Sequence, residues 1–207
     1  MENLGGKVAL ITGAGRGIGE AITIELAACG AEVAVVDINI SQAEKVAKKI
    51  ESSDGKAFSL RADVSLVEEV KTMIEEVIKR CGKIDILINN VGISPKHENG
   101  ERIPTLEIDH TLWDQVLRVN LKSVFLCTQA VAKEMKKQGS GSILNISSMV
   151  AKNGNPGPSG AHYCTSKAGV MNFTIYTARE LCQYGIRVNS LAPGTFQTAQ
   201  REGTSQK

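Results

Sequence analysis

The turn Thr12-Gly13-Ala14-Gly15-Arg16-Gly17-Ile18-Gly19 follows directly on an apolar run and opens a stretch of helical periodicity. A strand feeding a glycine turn that feeds a helix is the first half of a βαβ unit, and that beginning restricts what the rest of the chain can become. The alternation continues to the end. Short runs rich in Val, Ile and Leu predict strands at Lys7–Thr12, Glu32–Asp37, Ala57–Arg61, Ile84–Asn89, Ser142–Ser147 and Arg187–Leu191. Periodic stretches predict helices at Gly17–Cys29, Ser41–Ser52, Leu66–Cys81, Leu112–Lys137 and Tyr163–Tyr184. Right-handed crossovers turn this order into a doubly wound parallel sheet of the Rossmann type, with helices on both faces and a ligand site beyond the strands' carboxyl ends. One α/β domain over residues 1–194 is expected, with a polar tail, 195–207, outside its core.

Composition narrows the partners. Lys and Arg number 24 against 22 Asp and Glu, and a net charge of +2 without a basic tract argues against nucleic acid or a membrane surface. No apolar run approaches the length of a membrane span, and residues 1–6 lack the apolar centre of a signal peptide. The five cysteines are scattered, without a CxxC pair or a histidine at zinc-ligand spacing, so they read as reduced thiols with no metal site. A soluble, cytoplasmic protein is the expectation.

Glycines in the first turn let backbone approach a pyrophosphate lying at the amino end of the next helix. Asp37 closes the second strand, where a carboxylate accepts hydrogen bonds from an adenosine ribose and repels a 2′-phosphate. That favours NAD over NADP. Arg16 pulls the other way, since a cation in the turn can pair with the extra phosphate; Asp37 carries more weight because apolar Ile38, not a base, follows it. Asp63 and Val64, after the third strand, can bracket the adenine, and Asp63 also suits a helix N-cap.

Tyr163 and Lys167, four residues apart, share one face of a helix, so an ammonium can lower the phenol's pKa and let it exchange protons with a substrate oxygen. His97, His110 and His162 have no evident partner, and a surface role is expected for His162. Two segments read as loops over the site: Val91–Asp109, and Val150–Ala161 with its Gly, Asn and Pro. Lys96, His97 and Arg102 in the first can meet an anion or stand as solvated charge.

Taken in order, the turn at Thr12–Gly19, Asn89-Asn90-Val91-Gly92, Asn120, Ser148, Tyr163-xxx-Lys167 and Pro193-Gly194 resemble the short-chain dehydrogenase/reductase family from Leu4 to about Thr198. Val91 replaces the family's usual alanine, a change expected to be absorbed by local packing. The resemblance implies that Gly13, Arg16, Ile18 and Gly19 shape the pyrophosphate pocket and that Asp37 holds the ribose. It implies that Asp63 and Val64 contact adenine, that Asn90 and Gly92 line the nicotinamide side, and that Pro193 and Gly194 cover the nicotinamide. Tyr163 becomes the acid/base, Lys167 its helper on the nicotinamide ribose, and Asn120 the holder of a water behind the lysine. Ser148, the second serine of an NISS segment, becomes the group that hydrogen-bonds the substrate oxygen, with adjacent Ser147 as its rival.

The activity so implied is hydride transfer between NAD(H) and a small or medium alcohol or ketone: a sugar alcohol, a steroid-like alcohol or a 3-oxoacyl thioester. Members of the family continue past the Pro-Gly pair with a substrate-covering segment, a helix and a strand. A chain shortened there would have a more open pocket and would dimerise through the helices at Leu112–Lys137 and Tyr163–Tyr184. Three alternatives stand beside this: an NADPH-dependent 3-oxoacyl reductase, an idle NAD-binding protein with a sensing or partner-binding role, and an incomplete gene product.

Overall fold

Val8–Thr12 (β1) is buried along its whole length, as befits a central strand with both faces covered. The computed structural model describes residues 3–153 and 159–194. The polar tail from residue 195, and residues 154–158 of the second loop, lie outside the described residues. Parallel to β1 run Glu32–Asp37 (β2), Lys56–Arg61 (β3), Ile86–Asn89 (β4), Gly141–Ile146 (β5) and Ile186–Leu191 (β6), in the order β3-β2-β1-β4-β5-β6. Between β1 and β4 the winding reverses, and the carboxyl ends of those two strands, Thr12 and Asn89, flank the crevice where such sheets bind ligands.

Gly17–Ala28 (α1) and Ile40–Glu51 (α2) cover one face, where Ala9, Ile11, Val33 and Val35 meet Ala43, Val46 and Ile50. Val67–Cys81 (α3), Ser123–Gln138 (α5) and Ala161–Leu181 (α7) cover the other, where Leu10, Ala34, Val36 and Ile143 meet Met73, Val77, Val131 and Met135. Each Val, Leu, Ile or Met side chain among these, taken fully from water, contributes about 1.5–3 kcal/mol against chain entropy. Helix ends follow their local chemistry. Asn39 caps α2 by accepting from Gln42 N at 3.3 Å, and α3 has Glu68 and Glu69 in its first turn, Lys79 and Arg80 in its last, and Gly82 beyond it at φ 77°.

Two expectations are corrected here. Strand β4 starts at Ile86 rather than Ile84, because one side chain takes over the Ile84 backbone: Gln138 Oε1 accepts from Ile84 N, and Gln138 Nε2 donates to Ile84 O. The single long helix over Leu112–Lys137 is instead three pieces: His110–Leu117 (α4), a π turn at Arg118–Lys122, and α5. The second loop carries a short helix, Val150–Asn153 (α6), and the first an antiparallel bridge between Lys96 and Arg102. Among the described residues no helix is long and apolar enough to cross a membrane.

Candidate active site

The glycine turn at the end of β1 is a tight cradle. Gly13 and Gly17 take φ values of +63° and +60°, and a Cβ on Gly19 would strike the Gly13 carbonyl. A Cβ on Gly15 would lie 2.9 Å from Asp37 Oδ2. Arg16, the N-cap of α1, makes no side-chain cap, so the first-turn N–H groups of a 12-residue helix face the cradle unclaimed by a side chain. Bare backbone, an uncapped helix start and no room for side chains fit the pyrophosphate of a dinucleotide. Ile18 is half-buried in that first turn, and the Arg16 side chain is exposed.

Asp37 accepts from Gly15 N and Asn39 N, both at 3.0 Å, which fixes its carboxylate across the turn with lone pairs left for ribose hydroxyls. Asp63 is not the N-cap of α3. Leu66 takes that position, while Asp63 Oδ1 accepts from Ser65 N at 2.9 Å and its own N–H is taken by Glu69. Val64 is buried in the core, so its backbone is what remains for an adenine.

Asn90 Nδ2 donates to Gly13 O at 2.9 Å and to Thr12 O, and Asn90 N donates to Thr12 Oγ1, tying the β4 loop to the cradle. Val91 packs against the core as expected of an absorbed change, with Cγ2 3.1 Å from where a Cβ on Gly13 would stand. Gly92 lies against Lys167, whose Nζ is 3.1 Å from the position a Cβ there would take. Pro193 accepts from Met149 N at 3.1 Å, and Gly194 sits beside the Met149 sulfur.

Ser148 follows β5, and Tyr163 and Lys167 lie in the first two turns of α7. The Ser148 and Tyr163 hydroxyls are hydrogen-bonded. The rival serine is occupied elsewhere: Ser147 is buried and donates to Lys167 O at 2.8 Å, stitching β5 to α7. Lys167 is buried, its Nζ donating to Ile146 O at 2.8 Å and lying 6.0 Å from the centre of the Tyr163 ring. Burial drops its pKa to about 8.

The tyrosine departs from expectation. Its pKa lies above 10.0 because desolvation of the phenolate outweighs the Ser148 hydrogen bond. An ammonium that is itself desolvated, 6.0 Å from the ring centre, does not reverse that.

Asn120 sits in the π turn, a distortion that recurs at functional sites. Its Oδ1 accepts from Ile93 N at 2.7 Å and its Nδ2 donates to Ile93 O at 2.9 Å and Ser166 Oγ at 3.0 Å. Below it, Asn89 donates to Thr128 and Asn145, and Asn145 donates to Thr174, joining β4 and β5 to α5 and α7.

His162 is not on the surface. It is fully buried, accepts Tyr163 N on Nδ1 at 2.9 Å, and burial lowers its pKa although the Gly160 carbonyl pulls the other way. His97 pairs with Glu107 at 3.2 Å, while Lys96 and Arg102 form no ion pair among the described residues. Sequence reasoning passed over Ser166. Its only signal there is its place three residues after Tyr163, on the same helix face.

This geometry has close relatives. A family profile described as short chain dehydrogenase matches residues 7–207. The chain is 42% identical over 189 residues to the 3-oxoacyl-[acyl-carrier-protein] reductase FabG of Staphylococcus epidermidis, covering 91% of this chain and 74% of that protein. It is 41% identical over 204 residues to FabG of Thermotoga maritima, covering 99% and 80%. A crystal structure of a short-chain type dehydrogenase/reductase from Mycobacterium marinum superposes with a TM-score of 0.91 at 36% identity, covering 97% of this chain and 77% of that one.

Proposed function

From the premise that this chain belongs to the short-chain dehydrogenase family, and is an NAD(P)-dependent oxidoreductase acting between CH–OH and keto groups, we propose that it reduces the ketone of a 3-oxoacyl thioester, using NADH in preference to NADPH. The observation that carries the proton-transfer role is the hydrogen-bonded Ser148–Tyr163 pair at the end of β5 and the start of α7. At neutral pH Tyr163 keeps its proton and is equipped to give it to a carbonyl oxygen. Ser148 hydrogen-bonds that same oxygen and stabilises the charge developing on it. Lys167 commits one of its donors to Ile146 O, which leaves the others for a ribose hydroxyl and for the proton side of Tyr163. When bound, the nicotinamide supplies the hydride. Gly13, Gly15 and Gly19 admit the pyrophosphate, and Asn90 holds the cradle to the β4 loop.

The likeness to the 3-oxoacyl-[acyl-carrier-protein] reductases of Staphylococcus epidermidis and Thermotoga maritima supports the thioester as substrate class. The Asp37 carboxylate across the glycine turn supports NADH, since a 2′-phosphate would meet its charge. A homodimer is part of the same reading. Leu117, Leu121, Phe125, Gly169, Phe173 and Tyr176 line an open apolar groove of about 730 Å³ on α4, α5 and α7, and Phe125 and Tyr176 are 42% and 65% exposed. Asp114 with Arg118 and Lys122 at its rim would be self-complementary across a two-fold axis. Cysteines that form no disulfide suit a cytosolic setting.

Titration with NADH by nicotinamide fluorescence, with NADPH as competitor, is the first test, followed by turnover of acetoacetyl-coenzyme A as a short 3-oxoacyl thioester. NADPH winning the competition would refute the cofactor choice. Tyr163→Phe should bind NADH normally and lose turnover by at least about 100-fold; equal turnover removes Tyr163 from the mechanism.

A further inference from the structure

We infer that Ser166 is a positioning residue for Tyr163, holding the turn that carries the phenol to the loop that borders the cofactor cradle. The inference rests on Tyr163 being the proton-transferring group. Ser166 and Asn120 are both 0% exposed, so each polar atom they carry must find its partner inside the protein. The Asn120 amide has no choice of orientation. Its oxygen faces the Ile93 N–H, so its nitrogen faces Ile93 O and the Ser166 hydroxyl. Ser166 Oγ therefore accepts from Asn120, and its own proton goes to Tyr163 O, 2.7 Å away.

What this achieves depends on where α7 begins. Its N-cap, Gly160, makes no side-chain hydrogen bond, so the first turn is not anchored in the usual way. Instead the Tyr163 N–H is accepted by His162 Nδ1, and the Tyr163 carbonyl, already within the helix, also accepts the Ser166 hydroxyl. From Ser166 the connection runs through Asn120 to Ile93, three residues beyond the Asn90 that holds Gly13 O. A short line of buried hydrogen bonds through Ser166 thus ties the turn of α7 that carries the phenol to the cradle, alongside the Ser147 and Lys167 bonds that hold α7 to β5. The π turn is what aims Asn120 into that line.

The test is Ser166→Ala against wild type and Ser166→Thr, with Tyr163→Phe as reference. The measurements are kcat, KM and NADH affinity, the pH dependence of kcat, and the Tyr163 titration followed by NMR of ¹³C-labelled tyrosine, which needs no substrate. Ser166→Ala should lower kcat about 10- to 100-fold, the scale of a reacting group displaced by about 1 Å, with NADH affinity changed less than about threefold. The Tyr163 titration should move with it, and Ser166→Thr, which restores the hydroxyl, should recover both. A kcat within about twofold of wild type together with an unmoved Tyr163 titration overturns the inference, whatever happens to Tm. If Ser166→Ala does not fold, Ser166→Cys, a poor donor of similar size, is judged by the same two readings. Should the wild type prove inactive on the thioester, the proposed substrate fails and the NMR titration alone decides the role of Ser166.

Discussion

Replacing Lys167 by Met should raise the stability of the protein at neutral pH while abolishing its turnover. The lysine is 3% exposed, and burial alone drops its pKa from 10.5 to about 8. That fall costs the folded state about 3 kcal/mol at pH 7, where the unfolded chain holds the same proton in water. Methionine fills nearly the same volume without charge, but it leaves Ile146 O without the donor it has at 2.8 Å, a loss of about 1–3 kcal/mol. The net gain is therefore small at pH 7, on the order of 0–2 kcal/mol. The pH dependence is the sharper reading. Because the folded pKa is depressed, wild type recovers stability as pH rises from about 8 toward 10.5, when the unfolded lysine also loses its proton. Below about 8 both states are protonated and the cost is constant. Urea unfolding of both proteins at pH 7 and pH 10 should show wild type gaining about 2 kcal/mol on Lys167→Met between the two, since every other titrating group is common to both. A difference that does not change with pH would mean that Lys167 carries no desolvation penalty, and the account of its burial would be wrong.

The serines separate by what they hold. Ser147→Ala should cost about 1 kcal/mol in urea unfolding, through the lost bond to Lys167 O, and leave kcat within about threefold. Ser148→Ala should leave stability nearly unchanged and lower kcat about 100- to 1,000-fold. Asp37→Ala should raise the ratio of NADPH to NADH affinity by at least about tenfold in competitive titration, the scale of one relieved like-charge contact; an unchanged ratio would refute the ribose assignment. Replacing Phe125 and Tyr176 together by Ser should shift the light-scattering mass from dimer to monomer, and a wild type that is already monomeric would dispose of the interface.

Much of the fold was legible because it is written in local periods. The runs at Val8–Thr12 and Glu32–Asp37 are continuous apolar segments of strand length, as strands buried on both faces must be, and their bounds fall within a residue of expectation. Boundaries moved where side chains compete with the ladder, as at Ile84, whose backbone is held by Gln138 from 54 positions away. The π turn was not legible. The apolar positions of α4 and α5 keep a helical rhythm across Arg118–Lys122, and one wider turn hardly disturbs such a pattern.

The sequence by itself determined the alternation that makes the sheet, the glycine turn that nothing with a Cβ could replace at Gly19, and the order in which Asn120, Ser148, Tyr163 and Lys167 arrive. Tertiary structure decided which serine meets the phenol, that Asn120 is bound to Ile93 and Ser166, that His162 is buried, and that Tyr163 is held above its usual pKa rather than below it. Periodicity records the neighbours a residue has along one helix or strand. Hydrogen-bond partners and desolvation are set by segments that meet only once the chain has closed, such as Ile93 with Asn120 or Ser147 with Lys167, and no local pattern carries them.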